Sequence, residues 1–125
     1  MNPAKTLFCL AVCGLTLCLL SCKKEKDTRV DASRPLEQSF QTSEPEAKQA
    51  IAAVKASLKA GNYTEAGRVL EPVLAGRKLT PQQREAVGVV FQQISQAVAA
   101  NPSLDSKELY ELRVRLAQAA RGGRF

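Results

Sequence analysis

From Ala47 to Ala120 the apolar residues recur at spacings of three and four, and no segment of the chain shows the two-residue alternation of a strand. Side chains spaced in that way share one face of an α-helix, and each such face has to be buried against a neighbouring helix. The expected fold is therefore all-α, a small helical bundle of about four helices.

Those helices carry end signals. Ser43-Glu44-Pro45-Glu46 sets a serine cap three residues ahead of a glutamate, a capping box, and Pro45 suits the first turn. Ala47, Ala50, Ile51, Val54 and Leu58 then form one stripe on a helix ending near Gly61. A second helix is expected after Thr64, burying Ala66, Val69, Leu70, Val73 and Leu74 and ending at Gly76, where a left-handed cap is easy. Pro72 lies inside it, and its missing donor and ring clash predict a kink or an early stop. Thr80-Pro81-Gln82-Gln83 is another capping box, followed by Val87, Val90, Phe91, Ile94 and Val98, and this helix should run to about Ala100 because Asn101-Pro102 disfavours continuation. The last helix is announced by Asp105 as cap with Glu108, and by Leu104 with Leu109 as a hydrophobic staple. Its stripe is Leu109, Leu112, Leu116 and Ala120; Gly122 and Gly123 end it, leaving Arg124 and Phe125 as a frayed tail.

Ahead of the bundle, Lys5 precedes a run of 14 mostly apolar residues from Leu7 to Leu20. This is the layout of a secretory signal peptide, and it falls short of the roughly 20 residues a membrane-spanning helix needs. Its ending, Leu19-Leu20-Ser21-Cys22, resembles the lipobox of bacterial lipoproteins, in which an aliphatic and a small residue precede a cysteine that is lipidated and becomes the mature first residue. Cys9, Cys13 and Cys18 do not fit, because Phe8, Val12 and Leu17 before them are too large. The resemblance implies a signal peptide over residues 1–21, cleavage after Ser21, and a diacylglyceryl thioether on Cys22 with an amide-linked third chain such as palmitate. No other cofactor is implied. Lys23 in place of an aspartate implies export to the outer membrane, periplasmic or surface face, rather than retention in the inner membrane.

Processing of that kind removes three cysteines and consumes the fourth, so no thiol remains for a disulfide, a metal or nucleophilic catalysis. Lys23, Lys24 and Lys26 would stand next to the lipid, each gaining on the order of 1 kcal/mol from an anionic leaflet. Residues 22–42 read as a lipidated cysteine followed by a flexible polar tether, since Val30, Leu36 and Phe40 stand isolated with no sustained period. A coil of that length reaches roughly 25 Å. The helical domain then covers residues 43–125.

Within it, Gly61-Asn62-Tyr63-Thr64-Glu65-Ala66 resembles the inter-helix turn of a tetratricopeptide repeat. If Ala47 is the first repeat position, the family's 34-residue period places the next unit at Pro81, with Gly88 and Phe91 where glycine and tyrosine are favoured. Leu70 and Val73 fall at its apolar packing positions. Val54, Ser57 and Lys78 depart from the pattern, and the third helix continues through the second unit's central turn. The resemblance implies one degenerate hairpin within the bundle.

The chain contains no histidine, which removes the commonest general base and metal ligand and, with no free thiol, most hydrolase triads and zinc sites. The carboxylate pairs Glu44 and Glu46, Glu65 and Glu71, and Glu108 and Glu111 are accounted for by capping, helix-end electrostatics or a solvated face. No glycine-rich phosphate loop is present. The expectation is a non-catalytic protein with no small-molecule substrate. Its full-length charge of +6 becomes +5 once Lys5 is removed, with Arg113, Arg115, Arg121 and Arg124 toward the carboxyl end and Arg77 and Lys78 in a loop. Too few aromatics interleave with these charges for nucleic-acid binding. Two readings follow. In the first, a membrane-anchored interaction or scaffold module accepts a helix or peptide of another envelope protein in a groove beside Tyr63, Leu70 and Phe91. In the second, arginines including Arg113 and Arg115 read anionic envelope polymers or lipid headgroups.

Overall fold

The computed structural model describes residues 29–125. Among these the regular structure is entirely helical: α1 (Ser33–Ser39), α2 (Pro45–Lys59), α3 (Tyr63–Leu74), α4 (Pro81–Ala100), a short 3-10 turn (Pro102–Leu104) and α5 (Lys107–Ala120). The fold is the all-α bundle read from the periodicity, with a fifth helix placed ahead of the expected four. The residues assigned above to signal peptide, lipidation and its flanking lysines lie outside the described residues.

Two helical hairpins make up most of the bundle, α2 with α3 and α4 with α5. They meet where α3 packs on α5, and α1 touches both α2 and α4, closing the ring from the other side. The stripes converge on one core in which Ile51, Val54 and Leu58 meet Leu70 and Leu74, and Val87, Val90 and Ile94 meet Leu109, Leu112 and Leu116, all buried. Each such aliphatic side chain stabilises the fold by about 1.5–3 kcal/mol relative to an exposed one.

α1 corrects the extent of the tether. Ala32, Leu36 and Phe40, four residues apart, lie on one face of a single helical stretch, and all three are buried in the core. Asp31 starts the helix by accepting the Ser33 amide at 2.9 Å, and Pro35 sits in the first turn, where its missing donor costs nothing. Three glutamines of α4 hold the backbone of this segment. Gln96 and Gln93 accept the amides of Val30 and Ala32, at 3.2 and 2.9 Å, and Gln83 donates to the Ser39 carbonyl at 3.3 Å. Lys55 of α2 adds an ion pair to Glu37 at 2.6 Å. The residues from 31 onward therefore belong to the folded domain. The same bonds set its polarity: Val30 lies beside the C-terminal half of α4, and Ser39 beside its N-terminus.

The helix ends follow the sequence signals unevenly. At α4 the capping box forms in full, with Thr80 accepting from the Gln83 amide and Gln83 accepting from the Thr80 amide, both at 3.1 Å. At α2 it does not form: the helix starts one residue later than a Ser43 cap requires, with Glu44 as the flanking residue and Pro45 at the first position. α3 begins at Tyr63 rather than after Thr64, runs through Pro72, and stops two residues beyond it at Leu74. The cap of α5 is Ser106, whose hydroxyl accepts from the Leu109 amide at 3.1 Å, while Asp105 turns to Arg113. That shift takes Leu104 out of staple register, and it stays exposed. α2 and α5 both end in a Schellman turn. Gly61 (φ 77°) and Gly122 (φ 88°) take the left-handed position, and the following amides of Asn62 and Gly123 reach back to the carbonyls of Ser57 and Gln118. The tail beyond α5 is not frayed, because Phe125 packs against the core.

Between the hairpins the backbones of α3 and α5 approach closely at Gly67. A Cβ there would overlap the side chain of Leu112, itself buried, so glycine is what allows α3 this close.

Candidate functional site

Tyr63, Leu70 and Phe91 do not form one groove. Leu70 is 1% exposed and wholly inside the core, because it lies two turns after Tyr63 on the face of α3 that the bundle buries. Tyr63, half-buried at the start of α3, lines a hollow of about 390 Å³ with Asn62, Thr64, Arg68, Leu104 and Leu109. Phe91, at mid-α4, borders a separate hollow of about 350 Å³ against α5.

The two arginines are likewise apart. Residues two apart on a helix point roughly 200° from one another, and Arg113 and Arg115 flank opposite sides of α5. Arg113 bonds Asp105 at 2.6 Å and lies over the Tyr110 ring, its guanidinium carbon 5.8 Å from the ring centre. Arg115 pairs with Glu71 of α3 and lies 5.6 Å from the centre of the Phe125 ring. Both charges are thus met within the domain, and they do not form a joint cationic surface.

Most of the carboxylates singled out in the sequence serve the same purpose. Glu44 pairs with Arg77, Glu65 and Glu108 with Arg68, and Glu111 with Lys107. The Glu108 hydrogen bond and charge hold Arg68 above its ordinary pKa. No group of three or more metal-ligating side chains occurs among the described residues, and no helix among them is long and apolar enough to cross a membrane.

What the fold does expose is an apolar strip on the outer face of α4 and α5. Tyr110 and Val114 are 58% and 41% exposed, and with Ala117 and the edge of Phe91 they line the 350 Å³ hollow. Arg113 and Arg121 border it, and no acidic side chain does. Tyr110, Val114, Ala117 and Arg121 are spaced four, three and four along α5. This second stripe lies beside the core stripe of Leu109, Leu112 and Leu116, which ends on buried Ala119 and not on the expected Ala120, itself only half-buried.

No known protein family matches the chain, and comparison with curated proteins and with solved structures gives no match.

Proposed function

We propose that the chain is a lipid-anchored bacterial envelope protein without catalytic activity, which docks an acidic amphipathic helix of a partner protein on the α4–α5 face. The observation that carries the docking is the strip of exposed Tyr110 and Val114 with half-buried Ala117 and Phe91, bordered by Arg113 and Arg121. Apolar positions at helical spacing suit the ridge of another helix, and Arg121 at the border, whose side chain makes no ion pair among the described residues, favours a carboxylate flanking its apolar stripe. A twofold pairing of this face with itself would bring no carboxylate to Arg121, since none lines the hollow. The Leu19-Leu20-Ser21-Cys22 sequence supports the anchor, with Lys23 favouring the outer membrane. The α2–α3 hairpin turning at Gly61 supports the tetratricopeptide-like reading of that pair. The absence of histidine and the engagement of the carboxylates in ion pairs support a non-catalytic role.

Intact mass spectrometry of the membrane fraction tests the anchor: the expected species starts at Cys22 with acyl mass, and one retaining Met1 without it refutes this part. For the docking face, a photo-crosslinker at Val114 in the full chain in cells is expected to join an acidic, apolar-striped helical segment of another protein. Val114→Glu should abolish a non-covalent complex with that segment, and Arg121→Glu should weaken it. Crosslinks only between copies of this chain, or to segments without acidic residues, contradict the assignment.

A further inference from the structure

At the end of the bundle remote from Val30 lies a further hollow, of about 710 Å³. Its walls are the α3–α4 connector, the first turns of α4 and the tail after α5. Four cations line it, Arg77, Lys78, Arg84 and Arg124, and no acidic side chain does. Arg77 has Glu44 at 3.5 Å, a long contact, while the side chains of Lys78, Arg84 and Arg124 make no ion pair or hydrogen bond among the described residues.

Arg84 lies along the tail rather than fully out in solvent. It is half-buried, and its Nη1 stands 2.8 Å from where a Cβ on residue 122 would be. Gly122 thus serves twice, taking the positive φ that turns the tail and leaving the space in which the guanidinium lies. The remaining wall is apolar, formed by Leu79, Pro81, Ala119 and Phe125.

Lys78, Arg84 and Arg124, without partners among the described residues, repel one another beside the Glu44-paired Arg77, and a bound anion relieves this. Guanidinium forks match phosphate oxygens in pairs, and a phosphate monoester carries close to two negative charges at neutral pH. The volume lies within the usual range of roughly 300–1,000 Å³ for organic ligands, larger than a bare phosphate ion fills, and the apolar wall offers a place for carbon. We propose that this hollow binds an organic phosphomonoester, the phosphate on Arg77, Arg84 and Arg124 and the carbon body against Leu79 and Phe125. The site is separate from the α4–α5 face and does not depend on it. The ester could reach it as a free soluble molecule or as the headgroup of an envelope lipid.

Calorimetric titration of the full chain in neutral detergent tests this with three probes: phenyl phosphate, inorganic phosphate and short-chain phosphatidic acid below its micellar concentration. Phenyl phosphate or phosphatidic acid should saturate one site, about tenfold tighter than inorganic phosphate. Whichever of the two binds tighter identifies the source. Arg84→Gln, and independently Arg124→Gln on the tail, should each weaken that binding about fivefold or more with unchanged helical circular dichroism. Lys107→Gln, an equal charge loss at the opposite end, should change it less than about twofold. Absence of saturable binding, equal affinity for inorganic phosphate, or equal sensitivity to all three substitutions would overturn the proposal.

Discussion

Gly67 has no side chain at the point where α3 crosses α5, and Leu112 occupies the space a Cβ would need. Gly67→Val adds a branched side chain to a closed interface, and overpacking of this kind costs typically about 1–3 kcal/mol. The expected result is a loss of about 2 kcal/mol in the urea unfolding free energy, with partial recovery in Gly67→Val/Leu112→Ala. Nothing in the sequence singles this glycine out, since an isolated glycine in a helical stretch signals equally a weak position or a close crossing. Caps show the same limit. Asp105 and Ser106 are both competent caps one residue apart, and the choice of Ser106 is made by Arg113, eight residues downstream of Asp105, which takes the carboxylate. Arg113 and Arg115 look alike in the sequence, yet the turn of α5 sends one to Tyr110 and the other to Glu71 and Phe125. Local spacing therefore gives which side chains are cationic but not which stay free.

Helices long enough to repeat their apolar stripe are legible from sequence alone, and α4, with Thr80 and Gln83 at its start, is the clearest of them. α1 is not, because seven residues give its stripe only Leu36 inside the helix, with Ala32 and Phe40 just beyond either end. Most of what stabilises it comes from outside: the glutamines of α4 on its backbone, Lys55 on Glu37 and the core around Leu36 and Phe40. Short helices owe their stability to such packing rather than to propensity. Leu36→Ala should accordingly lower the stability of the whole domain by about 2–5 kcal/mol, as a buried position does, whereas Arg34→Ala on the exposed side of the same helix should change it by less than about 0.5 kcal/mol. Denaturant titration followed by circular dichroism distinguishes this from a disordered segment, for which neither substitution matters. The exposed apolar strip on α5 follows the same three-and-four spacing and is legible in the sequence, whereas the cationic hollow assembles three segments that only the bundle brings to one end.

Across the whole molecule the pH response is set by carboxylates. There is no histidine, and the carboxyl of Asp31 is held below its ordinary pKa, first by the hydrogen bond from the Ser33 amide. Glu37 is lowered by its hydrogen bond from Lys55. A carboxyl with a lowered pKa in the folded state contributes stability that is fully present above its unfolded value near 4 and is lost as pH falls through the folded value. Urea midpoints should therefore stay level from about pH 6 to 8 and decline below about pH 4, with a shallower decline in Asp31→Asn.

The amides of Val30 and Ala32, fastened to Gln96 and Gln93, also fix where the chain enters the folded domain. Eight Cα-to-Cα steps lead from Cys22 to Val30, a reach of at most about 28 Å at full stretch, comparable with the roughly 30 Å length of the 20-residue α4. If acyl chains hold Cys22, an upright bundle carries the cationic hollow about 22 Å farther out than Val30, the axial rise from Gln96 to Pro81. In that upright pose the hollow faces the aqueous space, and it meets headgroups of its own leaflet when the bundle lies down or inverts on a stretched leash.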